Sequence, residues 1–121
     1  MEYTELEVWK ITRQLVSTVY LSTKAFPKEE QFGLSNQIKR AAVSVPSNIA
    51  EGCGRRHVND SLQFFYIARG SLYELETQLY LAFDLGFISK NKQDELLDQI
   101  TQSKKLIQGF INYVKNINTK G

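Results

Sequence analysis

Hydrophobic positions recur at three- and four-residue steps in four separate stretches of the chain, and nowhere do they alternate with period two. That periodicity belongs to amphipathic helices and leaves no segment that reads as a strand. In the first stretch Leu6, Trp9, Val16, Val19, Tyr20 and Thr23 follow one face, widened by Val8, Ile11 and Leu15. Thr4 and Glu7 have capping-box spacing, which predicts a helix start there. Phe26-Pro27 ends the helix, because proline disfavours helical backbone in the residue before it. "PKEEQFG" reads as a connecting loop. The second stretch starts near Ser35, a good N-cap. Its apolar face is Ile38, Ala41, Ala42, Val45 and Ile49, and it ends in the glycines of "GCG", Gly52 to Gly54.

The third stretch starts at Asn59 or Asp60 and carries Phe65, Ala68, Leu72, Leu75, Leu79 and Ala82 to a stop at Gly86. The fourth starts at Ser89 and repeats the step through Leu97, Ile100, Lys104, Ile107, Ile111 and Val114, with the lysine as a defect and Leu96, Phe110 and Ile117 flanking. Residues 118–121 are expected to fray. Four such helices with short to medium connections predict an all-α fold. The chain is read as one domain over 1–121, an antiparallel up-down-up-down four-helix bundle.

Pro46 interrupts this pattern in the second helix. It has no N–H for the carbonyl of Ala42, and its ring presses on that carbonyl. In a helix interior this costs about 3 kcal/mol relative to alanine. Two outcomes are open: a break near Val43 with a restart at Pro46, or one helix kinked at Pro46. The kinked helix is preferred, because a break would leave two pieces of roughly ten residues, each marginal alone.

Composition narrows the class. At 121 residues, with 42% hydrophobic and 23% charged residues, the chain can bury a core without disulfides or a metal. Cys53 is the only cysteine, which excludes an intrachain disulfide and favours a reducing compartment. The start "MEYTELEVWK" lacks the basic and apolar regions of a secretory signal. No apolar run approaches the roughly 20 residues of a membrane span. A cytoplasmic protein with no membrane partner is expected. The net charge of +2 is small but unevenly placed. Residues 38–69 hold Lys39, Arg40, Arg55, Arg56 and Arg69 against Glu51 and Asp60, while the flanking segments are near neutral.

Polar residues on the second helix form a stripe: Ser44, Asn48, Glu51 and Arg55. Small residues fill much of the remaining surface. The third helix has a matching stripe of Ile67, Ser71, Glu74, Gln78, Leu81 and Leu85, with Gly70 beside it. These stripes are poor in lysine, so Ser44, Asn48, Glu51, Ser71, Glu74 and Gln78 are candidates for a subunit interface or a buried polar network. A solvated polar face is the plainer alternative. Arg55, Arg56 and His57 are candidates for an exposed basic loop, with Lys39 and Arg40 as further contacts. Helix capping by the two arginines is the competing role.

Catalytic chemistry is sparsely represented. Cys53 and His57 are four apart, but glycines flank the cysteine and no other cysteine or histidine is available. Glu74 and Glu76 diverge on a helix. Glu51 and Glu74 could meet across two helices, where an ion-pair network is the expectation. Tyr66, Tyr73 and Tyr80 step by seven and read as a packing seam in preference to a base-stacking platform. No Gly-rich phosphate loop or metalloprotease motif occurs. No metal, cofactor or enzymatic activity is expected.

"QIKRAAVSVPSNIAEGCGRR" followed by "FFYIARGSLYELETQLYLA" resembles the 23S rRNA intervening-sequence protein family of small bacterial helical bundles. The matching positions are Arg40, Ala41, Ser44, Pro46, Asn48, Ile49, Ala50, Glu51 and Gly52, then Ala68, Gly70, Ser71, Glu74, Leu75 and Glu76. The resemblance implies a four-helix bundle and a ring-shaped homopentamer. Some members are encoded within insertions in 23S rRNA genes. A related protein of diversity-generating retroelements binds nucleic acid and a reverse transcriptase. It implies no settled activity. The combined expectation is a non-enzymatic homo-oligomeric module, pentameric on the resemblance, that binds RNA or DNA through a basic rim, with a protein partner open. A protein-only scaffold is the alternative.

Overall fold

The computed structural model describes residues 2–120, with side chains described for 2–117. Four α-helices carry the fold: α1 (Glu7–Thr23), α2 (Leu34–Cys53), α3 (Val58–Asp84) and α4 (Lys90–Lys120). Short 3-10 turns at Tyr3–Glu5 and Lys28–Glu30 precede α1 and α2. Each helix packs on two neighbours in the cyclic order α1, α2, α3, α4, with α2–α3 the most extensive contact and α1–α4 the least. No strand occurs among the described residues. The chain is therefore an all-α four-helix bundle. The residues expected to fray include Gly121, which lies outside the described residues, as do the side chains of 118–120.

α2 runs unbroken through Pro46, so the reading as one helix holds and the reading as two pieces does not. α3 buries Phe65, Ala68, Leu72, Leu75, Leu79 and Ala82 as the pattern predicts, and α2 buries Ile38, Ala41, Ala42, Val45 and Ile49. Gly52 is also buried, and an added Cβ there would stand 2.4 Å from Cε1 of Phe65. α2 and α3 thus meet closely at this end, where only glycine fits under the ring.

The seams of α1 and α4 differ from expectation. In α1 the buried row is Val8, Thr12, Leu15, Val19 and Thr23, while Tyr20 faces solvent. In α4 it is Gln93, Leu96, Ile100, Ser103, Ile107 and Ile111, while Lys104 lies to one side. The cause is the same in both helices. Thr12 donates its hydroxyl to the carbonyl of Val8 at 2.8 Å, and Ser103 donates to that of Gln99 at 2.8 Å. A hydroxyl satisfied by its own helix can take a core position.

Two helix starts also need correction. Thr4 lies in the first 3-10 turn, and α1 is preceded by Leu6 with no side-chain cap, so the Thr4–Glu7 capping box does not form. Ser35 is a buried residue inside α2, and Gly33 precedes the helix. There Glu30 reaches the amide of Leu34 at 3.4 Å. α3 begins one residue before the expected start, after His57. By contrast, Ser89 caps α4 through Lys92 N at 3.2 Å. Gly86, at φ +78°, ends α3 in a Schellman turn. Phe87 N donates to Ala82 O at 2.9 Å and Gly86 N to Phe83 O at 3.0 Å.

Candidate functional site

The predicted polar stripes divide. Ser44 on α2 and Ser71 on α3 share a hydroxyl hydrogen bond of 2.9 Å. Asn48 Nδ2 donates to the Ser44 carbonyl at 2.8 Å and to its Oγ at 2.9 Å. With Oγ accepting from Asn48, the Ser44 hydroxyl proton is free for Ser71. These three residues tie α2 to α3 and form the structural part of the candidate network. Glu74 and Gln78 make a separate pair along α3, with Gln78 Nε2 donating to Glu74 Oε1 at 3.2 Å. The Oε1 of Gln78 is buried and has no hydrogen-bond donor among the described residues. Glu51 does not meet Glu74. It binds Arg55 at 2.7 Å, one turn on, at an exposed position.

The predicted basic residues also divide. Lys39 lies over the ring of Tyr20 at 5.4 Å on the α1 side of α2. Arg40 is exposed on the same part of the helix. From Lys39 to Cys53 the helix rises about 21 Å, so these two do not join Arg55, Arg56 and His57 in one patch. Arg55 is held twice, by Glu51 and by the ring of Phe64 at 4.5 Å. Arg56 and His57 stand exposed in the four-residue link between α2 and α3. Cys53 is partly covered, and burial raises its thiol above the ordinary value. It lines an apolar recess of about 170 Å³ with Gly52, Val58, Phe65, Phe110 and Val114. His57 is exposed at the start of α3. No cluster of three or more potential metal ligands occurs among the described residues.

Two further surfaces stand out, the first on the α3 stripe already read from the sequence. The first is apolar. Ile67 (51% exposed) and Leu85 (60%), with Leu81 between them, stand open along α3, and Gly70 has nothing within 4 Å of an added Cβ. Phe32, in the loop before α2, is 88% exposed. The second lies where α3 meets α4. Arg69 donates to Gln108 at 2.9 Å and stacks on Tyr66 at 5.1 Å. Lys104 binds Glu76 at 2.9 Å and lies over Tyr73 at 4.3 Å. Lys115 lies over Tyr66 at 5.5 Å. The heptad spacing of the tyrosines was legible. The lysines over Tyr66 and Tyr73 were not, because they depend on the antiparallel register of α4.

These features define a class: a small antiparallel helical bundle whose α2 and α3 are joined by a short polar network, with side chains fit for contact on its outer faces. The model of the family described as 23S rRNA-intervening sequence protein matches residues 4–109, and the chain belongs to that family. The fold is similar to a crystal structure from Bacteroides thetaiotaomicron VPI-5482, described as a protein with unknown function from the S23 ribosomal protein family. The TM-score is 0.78 at 24% identity, over 87% of this chain and 95% of that one. Comparison with curated proteins gives no match. No helix among the described residues is long and apolar enough to cross a membrane.

Proposed function

We propose that the protein is a non-enzymatic cytoplasmic module that assembles with copies of itself into a closed ring, five-membered on the family resemblance, and binds RNA or DNA. The observation that carries the assembly is the outer surface of α3. Ile67, Leu81 and Leu85 stand open there, Gly70 leaves room for close approach, and Gln78 Oε1 is buried beside them without a donor among the described residues. A buried acceptor left unmade costs about 1–3 kcal/mol. A neighbouring subunit supplying an N–H would remove that cost and cover the apolar residues. Closed point groups are the norm for such homo-oligomers.

Nucleic acid enters through the α2–α3 link. Arg56 and His57 are exposed, and Arg55 adds charge already shared with Glu51. One copy offers too little charge for tight binding. A ring repeats it, and repeated weak sites gain by effective concentration. The protein-only scaffold is supported by a specific observation of its own, namely that Glu51 and Phe64 already occupy Arg55.

Light scattering at micromolar concentration tests the assembly, with an oligomer expected and a monomer overturning it. Retention on RNA tests the ligand. Binding should fall with salt at a log–log slope of about −0.7 to −0.9 per phosphate contact. Arg55→Gln with Arg56→Gln should weaken RNA and duplex DNA alike while the oligomer persists. A parent that binds neither at low salt leaves the scaffold reading.

A further inference from the structure

A closed ring of more than two copies needs two different surfaces on every subunit, because each copy meets its neighbours head to tail. The outer ridge of α3 supplies one. Helical spacing sets Ile67, Gly70, Glu74, Leu81 and Leu85 in line along it. Glu74 is the acid of this ridge and is exposed. Gln78 donates to its Oε1 at 3.2 Å and holds the carboxylate in place. No cation lies within ion-pair distance of Glu74 among the described residues.

The second surface lies on the next face of the bundle, where α1 meets α2. A groove of about 380 Å³ opens there, with Trp9, Arg13 and Val16 of α1 on one wall and Val43, Pro46 and Ala50 of α2 on the other. Lys39 stands one turn before Val43 on α2. The walls are mainly apolar, and the cations beside them rest on rings. Arg13 lies over Trp9 at 5.2 Å and Lys39 over Tyr20 at 5.4 Å. Neither has a carboxylate within ion-pair distance among the described residues. The ridge is thus apolar with an unanswered acid, and the groove is apolar with unanswered bases.

Cyclic symmetry keeps all copies at one height, so for subunits standing parallel to the ring axis the two surfaces must agree in level along the bundle. The Ser44–Ser71 hydrogen bond of 2.9 Å fixes the level of α3 against α2. The helices are antiparallel, so each step up α3 matches one step back along α2. Gly70 comes level with Val45, next to Pro46. Ile67 comes level with Asn48, two residues from Ala50. Glu74 comes level with Ala41, two residues from Lys39 and from Val43. Two residues are about 3 Å of rise, which a lysine side chain spans. The ridge therefore offers its gap at Gly70 to the proline ring, its isoleucine to the groove and its carboxylate to Lys39.

We propose that the α1–α2 groove receives the α3 ridge of a second copy, with Lys39 of one subunit paired to Glu74 of the next and Ile67 seated beside Ala50. This rests on the reading that the protein assembles with itself, and it names the surface that the ridge meets. It also places Lys39 in the subunit contact and not on a nucleic acid. Trp9 is the single tryptophan of the chain and lines the groove, so its fluorescence reports whether the groove is covered.

The test follows assembly by sedimentation velocity over a dilution series, with Trp9 emission recorded on the same samples. The parent should be an oligomer whose emission moves to longer wavelength as it dissociates. Lys39→Glu and Glu74→Lys each set like charges together, and each should raise the concentration of half-dissociation by at least about tenfold. Both changes in one chain exchange the charges and should bring assembly back close to that of the parent. Glu74→Gln removes the charge and keeps the shape, so it should loosen the oligomer less than Glu74→Lys does. Far-ultraviolet circular dichroism separates dissociation from unfolding.

A parent that stays monomeric at every concentration overturns the assembly and this contact with it. An oligomer that neither single change loosens, or whose Trp9 emission stays constant through dissociation, leaves the assembly standing and overturns the contact. A combined variant that assembles no better than the single ones overturns the pairing of Lys39 with Glu74. Should Lys39→Glu fail to fold, Glu74→Gln decides, and assembly equal to that of the parent overturns the pairing.

Discussion

At the residue scale, Gly52 is the tightest point of the packing. A methyl group there would stand 2.4 Å from the Phe65 ring, and both residues are buried. Overpacking costs about 1–3 kcal/mol, against about 1 kcal/mol gained in helix propensity by alanine. Gly52→Ala should therefore lower stability by up to about 2 kcal/mol in urea unfolding, and Phe65→Leu in the same chain should recover part of the loss. Gly70 gives the opposite expectation. It has open space, so Gly70→Ala should raise the stability of a dissociated subunit by up to about 1 kcal/mol while weakening assembly, read by unfolding and by light scattering across a dilution series. Cys53 makes a third case. Burial raises its thiol above the ordinary value of 9.0, so the fold favours the neutral form. The stability this contributes is complete below that value and is lost as pH rises through the higher folded value. Alkylation by iodoacetamide at pH 8 should be slower in the folded protein than in urea, with the difference shrinking at higher pH.

At the scale of the element, α2 carries its proline without ending. Pro46 sits two residues after Ser44, whose side chain joins α3, and two before Asn48, which supports Ser44. Pro46→Ala would remove a cost of about 3 kcal/mol on propensity alone. If the proline aligns Ser44 with Ser71, the measured gain should be much smaller, and a Ser71→Ala background should then shrink the stability difference that Pro46→Ala makes. The seam of α3 was legible because Phe65, Ala68, Leu72, Leu75, Leu79 and Ala82 are all apolar, and the start of α4 because Ser89 caps it. The seams of α1 and α4 were displaced because Thr12, Gln93 and Ser103 occupy core positions, and sequence pattern scores them as polar. Two caps were misplaced for a related reason. Leu6 and Gly33 precede their helices without the side-chain oxygen the pattern looks for. Of the candidate site, Ser44, Asn48 and Ser71 were found together because helical spacing fixes their faces. The pairing of Tyr73 with Lys104 was not, because it depends on a register 31 residues apart in the chain.

At the scale of the whole molecule, the lysine-rich half of α4 and the α2–α3 link share one end of the bundle, where Ile67 and Ile117 are also exposed, while Leu21, Phe32 and Leu85 are exposed toward the other end, among Lys24, Lys90 and Asp94. The close passage of Phe65 over Gly52 has a consequence for the order in which the molecule loosens. It lies within the most extensive helix contact of the bundle, that of α2 with α3, while α1 packs less extensively on α2 and, among the helices, least of all on α4. Opening should follow that gradient. Backbone amides in α1 should exchange with deuterium through a partial unfolding that leaves the α2–α3 pair closed, and those around Ile49 and Phe65 should exchange only when the whole subunit unfolds.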